Sequence, residues 1–66
     1  MSRRRTVVET LYDRRSKYEV VRIDHDGVPF FESTDFYVFR DGEQVAGRYA
    51  NLRDAIAWAK RQGATA

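Results

Sequence analysis

From Thr6 to Tyr49 the apolar side chains fall in short β-branched and aromatic runs split by polar steps. From Leu52 onward they recur at helical spacing. Thr6–Tyr12 (TVVETLY) reads as a short strand, because Thr, Val and Tyr fit extended backbone. Asp13-Arg14-Arg15-Ser16 is a polar turn, and Lys17–Asp24 (KYEVVRID) is a second strand. His25-Asp26-Gly27 is the next turn, with Gly27 free to take positive φ. Val28–Glu32 is predicted to pair back on that strand, Pro29 confining it to an edge or an irregular strand because it lacks an N–H. Ser33-Thr34-Asp35 is a polar break.

The clearest local signal is Asp41-Gly42 between Phe36–Arg40 and Glu43–Tyr49. A two-residue loop of this kind is a type I′ hairpin turn, in which both central residues take positive φ. It predicts the pairs Arg40–Glu43, Phe39–Gln44, Val38–Val45, Tyr37–Ala46 and Phe36–Gly47. Phe36, Val38 and Val45 then share one face. Tyr37, Phe39, Gln44, Ala46 and Arg48 share the other.

Asn51–Gln62 reads as a helix with Asn51 as N-cap and Asp54 placed for a capping box. Leu52, Ala55, Ile56 and Ala59 form its apolar stripe, with Trp58 on the flank. Lys60 and Arg61 suit the last turn and Gly63 the position just past the end. The expected fold is α+β: a three- or four-stranded antiparallel sheet packed on one face by a single C-terminal helix. Residues 6–63 form this one domain, residues 1–5 a disordered basic arm, and residues 64–66 a frayed tail.

Length sharpens this picture. A chain of 66 residues buries only about 60% of its unfolded surface. Its own core gives marginal stability, and oligomerisation is a natural supplement. An apolar fraction of 42% with 14% aromatics is enough for a folded domain. The chain has no cysteine, which removes disulfides and thiolate chemistry and fits a reducing compartment. No apolar run reaches the roughly 18 residues of a membrane span. The Met1–Arg5 start is followed by Thr6–Thr10, which is no signal-peptide core. The expected location is the cytoplasm.

Net charge is +2, unevenly spread. Residues 1–17 carry six basic and two acidic side chains, a net +4, and residues 18–66 carry six basic and eight acidic, a net −2. A basic segment on an acidic body points to nucleic acid or an acidic partner.

Catalytic chemistry finds little to build on. His25, between Asp24 and Asp26, reads as an exposed turn histidine, with no second His or Cys to complete a transition-metal site. Asp24, Asp26, Glu32 and Asp35 do not follow the spacing of a calcium loop. The four glycines are isolated, so no phosphate-cradling loop is present, and Asp54 opposes an anion at the helix start. The expectation is a protein that is not an enzyme and uses no cofactor, metal or small-molecule substrate.

Both sheet faces, however, carry apolar or aromatic side chains. On Lys17–Asp24, Tyr18, Val20 and Arg22 face one way and Val21 and Ile23 the other. One helix covers one face. The second face would be covered by the N-terminal segment with Val7, Val8 and Leu11, by a second copy, or by nucleic acid.

The stretch FYVFRDGEQVAGRYANLRDAIAWAKRQ, residues 36–62, resembles the last hairpin and helix of the AP2-like arm-DNA-binding domains of tyrosine recombinases. It is also similar to short bacterial strand-strand-strand-helix domains of unknown function. The first resemblance implies a three-stranded sheet in the DNA major groove, with Arg40 and Arg48 approaching DNA and Ala55 and Ala59 packing on the sheet. Asp35, Asp41 and Glu43 depart from it by placing negative charge beside the hairpin.

Together these readings point to a small non-enzymatic binding module. In the nucleic-acid version, Arg3, Arg4, Arg5, Arg14, Arg15 and Lys17 contact phosphates, and Arg22, Arg40 and Arg48 add to a contact face with Tyr37 and Phe39. In the alternative, the aromatic face or an edge strand makes a homodimer or another protein contact. A membrane is not among the expected partners.

Overall fold

The structure is a computed structural model that describes the backbone of residues 3–28 and 31–66, and the side chains of residues 4–24 and 34–66. Four strands, β1 (Arg3–Tyr12), β2 (Lys17–Val28), β3 (Phe31–Arg40) and β4 (Glu43–Tyr49), precede one helix, α1 (Leu52–Arg61). The strands lie in sequence order, each antiparallel to the next, so the sheet is a simple meander. The α+β class is as the sequence indicates. No helix among the described residues is long and apolar enough to cross a membrane.

The strands are longer than their apolar runs. Arg3, Arg4 and Arg5, expected as a free arm, pair with His25, Asp24 and Ile23 and begin β1. A strand as long as β2 presents backbone donors and acceptors along its whole length, and pairing on both sides satisfies them. The polar step Ser33-Thr34-Asp35 is likewise part of β3, opposite His25, Asp24 and Ile23. There Thr34 Oγ1 donates to Asp24 Oδ1 at 2.9 Å. His25-Asp26-Gly27 belongs to β2 rather than to a turn, and the pairing closes at Val28 opposite Phe31. Pro29 lies outside the described residues, and with it the edge-strand reading of that position.

The hairpin at Asp41-Gly42 has the expected backbone, φ 52° and 90°. Its first two pairs, Arg40–Glu43 and Phe39–Gln44, match the predicted register. Beyond them β4 carries two bulges. Val38 pairs with Ala46, Tyr37 with Gly47 and Phe36 with Tyr49, leaving Val45 and Arg48 as extra residues. Each extra residue shifts the alternation by one. Ala46, expected on the face away from the helix, therefore packs with the core beside Val45. Val8 is the extra residue of a third bulge, in β1, and also packs on the core.

The core lies between α1 and one end of the sheet. Leu11, Tyr18, Val20, Val38, Ala55, Ala59 and Ala64 are buried, with Leu52, Ile56 and Trp58 packed around them. The Trp58 ring meets Tyr18 edge-on, centroids 6.3 Å apart at 61°. Asn51 has the extended backbone of an N-cap, but its side chain makes no capping bond and instead donates to Asp54 Oδ2 at 3.4 Å.

The C-terminus of α1 is better ordered than its sequence implies. Gly63, at φ 97°, donates to Lys60 O at 2.9 Å, and Ala64 N–H donates to Ala59 O at 3.2 Å. These are the two bonds of a Schellman motif. The motif turns Ala64 into the core and carries Thr65 to the free edge of Tyr12, where the two backbones exchange bonds of 2.7 and 2.8 Å. The expected frayed tail is a clasp between helix and sheet. Deleting Ala64–Ala66 should lower the unfolding free energy by about 3 kcal/mol, three net backbone hydrogen bonds at about 1 kcal/mol each. Urea titration measures this, and an unchanged midpoint would show a tail that contributes nothing.

Candidate functional site

The face opposite α1 is built by registered rows across the strands. Val7, Val21, Tyr37 and Gly47 form the central row. Thr10, Glu19, Phe39 and Gln44 lie on one side of it, and Arg5, Ile23 and Asp35 on the other. Val21 is only 1% exposed, closed over by its neighbours on this face, and Val7 is 48% exposed. The Tyr37 ring lies against Gly47 so closely that a Cβ there would fall 2.4 Å from Cδ1. Gly47, at φ 144°, thus gives the ring a flat seat on the sheet. The Arg5 guanidinium stands 4.4 Å from the Phe39 ring centroid, a cation–π contact.

Val7, Val8 and Leu11 do not cover this face from above; they are residues of β1 in the same sheet. Of the three covers the sequence allowed, the N-terminal segment is therefore removed. Tyr37 and Phe39 are brought together on this face as expected, both half-buried.

The basic residues do not gather on one surface. Arg22 pairs with Phe36 on the helix side of the sheet, not beside Tyr37 and Phe39, because it keeps step with Tyr18 and Val20. Its Nε lies 3.4 Å from Asp24 Oδ2, an ion pair without hydrogen-bond geometry. Arg48 is pushed out by its bulge, with Nε 3.9 Å from Asp35 Oδ1. Arg4 is exposed opposite Asp24, and the Arg3 side chain lies outside the described residues. Arg14, Arg15 and Arg40 do meet, lining a hollow at the sheet end with Asp13, Ser16, Gln62 and Gly63. Lys17 begins β2 next to them, and its N–H donates to Asp41 Oδ1 at 3.0 Å. That basic cluster joins two turns far apart in sequence, and only the strand pairing reveals it.

The side chains of His25, Asp26 and Glu32 lie outside the described residues. Among the described residues no three His, Asp or Glu side chains come together as a metal site. No protein-family model, no curated protein and no solved structure matches this chain. Its own geometry is thus what bears on function. The sheet has four strands, and Ala55 and Ala59 are buried.

One carboxylate organises the basic hollow. Asp13 Oδ1 accepts the N–H groups of Arg15 at 2.7 Å and Ser16 at 2.6 Å. The Arg15 N–H is the main reason its carboxyl titrates below the ordinary 3.8; partial burial opposes this, and Ser16, Tyr18 and Arg40 add to the lowering. A carboxylate with a folded pKa below its unfolded value stabilises the fold above the unfolded pKa and loses that effect as pH falls through the folded one. Asp13→Asn, which can still accept both N–H groups, should therefore be less stable than the parent at neutral pH. The difference should shrink as pH falls below 3.8. Thermal melts across that range measure it, and a pH-independent difference would contradict the assignment.

Proposed function

We propose that this chain is a non-enzymatic binding module that acts as a homodimer, with the sheet face bearing Val7, Ile23, Tyr37 and Phe39 packed on the same face of a second copy. The observation that carries this reading is excess surface. A compact monomer of this size exposes roughly 4,300 Å², whereas this chain exposes 5059 Å². The excess, about 700 Å², approaches the roughly 800 Å² that each partner gives to a standard interface. The radius of gyration agrees: 12.4 Å against about 11 Å for a compact chain of this length.

Charge supports a protein partner on this face. Glu19 and Asp35 would repel phosphate, and Arg5 is engaged by the Phe39 ring. Both signs lie at the margins of the apolar row, so two copies related by a two-fold axis meet without net repulsion. The bulges of β1 and β4 disturb both edge strands, which favours packing through the face over strand addition.

Val7→Asp tests the proposal, because Val7 is exposed in the single chain and a charge there costs the fold only about 0.5 kcal/mol or less. Sedimentation equilibrium should give twice the chain mass for the parent and the single-chain mass for the variant, with circular dichroism showing both folded. A monomeric parent, or a Val7→Asp dimer of unchanged affinity, would refute it.

A further inference from the structure

The hollow at the turn end of the sheet has a different character from the apolar face. The β1–β2 turn supplies Arg14 and Arg15, and the β3–β4 turn supplies Arg40. The two turns are held together by Asp41, which donates its N–H to Lys17 O at 3.0 Å and accepts the Lys17 N–H on its side chain at 3.0 Å. Lys60 and Arg61 stand in the last turn of α1, which reaches the same hollow through Gln62 and Gly63.

Two of the local carboxylates are engaged by backbone N–H groups, while Glu43, paired with Arg40 across the hairpin, is exposed beside them. Asp13 is engaged by the Arg15 and Ser16 N–H groups, and Asp41 by that of Lys17. The carbonyls of Ala59 and Lys60, which would make a helix C-terminus repel anions, are taken by the Schellman bonds. The exposed cations that line the hollow are guanidinium groups, whose planar fork matches a phosphate oxygen pair.

We propose that this end of the molecule binds the phosphodiester backbone of nucleic acid without reading its sequence. The site is separate from the apolar face, so it stands whether or not the chain dimerises. An acidic peptide is the weaker fit. Protein partners take most of their affinity from buried apolar or aromatic anchors, and the lining of this hollow has no large apolar side chain to receive one. Repeated, evenly spaced charge suits three arginines fixed on two tied turns.

The test is fluorescence anisotropy with labelled duplex and single-stranded DNA of about 20 nucleotides, titrated between about 50 and 200 mM salt. The parent is compared with the triple variants Arg14→Ala/Arg15→Ala/Arg40→Ala and Arg14→Lys/Arg15→Lys/Arg40→Lys. The parent should bind at low salt and weaken steeply as salt rises. The alanine variant should bind at least about tenfold more weakly on duplex, with a log–log salt slope shallower by up to about 2.7, roughly 0.9 for each guanidinium removed. The lysine variant, which keeps the charge, should retain most of the slope. No binding by the parent at low salt, or an alanine variant with unchanged slope, would overturn the proposal. So would displacement by polyglutamate as readily as by unlabelled DNA at equal charge, which would make the end a general acid-binding patch.

Discussion

A helix rises about 1.5 Å per residue and a strand about 3.3 Å. With ten residues, α1 spans roughly 15 Å, while β2 with twelve spans roughly 40 Å, in keeping with the 43 Å long axis of the molecule. One helix of that length cannot roof one face of such a sheet, and the rest of the structure answers to this mismatch. α1 is fastened at the turn end, where the Schellman motif and the Tyr12–Thr65 bonds clasp it to β1. The core of Leu11, Tyr18, Val20 and Val38 lies under it. Farther along β2 the helix side turns polar, with Arg22, Asp24 and Thr34 in contact with one another rather than with an apolar layer.

Small residues and bulges make the covered part dense. Ala55, Ala59 and Ala64 let α1 come close to the sheet, and the bulges at Val8 and Val45 bring additional apolar side chains to that side. The third bulge sends Arg48 out to Asp35. The remaining apolar bulk, Val7, Ile23, Tyr37 and Phe39, lies around the buried Val21 on the face away from the helix. In the proposed dimer a second copy supplies what a second helix would. The basic end is a by-product of the same layout: a meander places alternate turns at one end, so Arg14, Arg15 and Arg40 meet there although they are distant in sequence.

Features set by local chemistry were legible in the sequence. Asp41-Gly42 specifies its turn through the positive φ both residues must take, and the Leu52, Ala55, Ile56, Ala59 stripe with Gly63 specifies the helix and its end. The apolar character of both faces followed from simple alternation in β2. Features set by pairing were not legible. Arg3–Arg5 and Ser33–Asp35 have side chains typical of loops, yet they are strands because β2 has backbone groups to satisfy on either side. The bulges carry no composition signal, and each reverses the face of whatever follows, which is why simple alternation puts Ala46 on the wrong side. Ala64 is an ordinary alanine; only the left-handed Gly63 before it makes it a core residue.

The proposed packing of a second copy on the face away from the helix can be tested directly. Isotope-labelled and unlabelled chains are mixed and filtered nuclear Overhauser spectra recorded. The expected result is a set of contacts between the methyl groups of Val7 and Ile23 in one chain and the rings of Tyr37 and Phe39 in the other. Intermolecular contacts confined to α1 or to the outer edge of β4, or none at concentrations that support the spectrum, would contradict a face-to-face dimer.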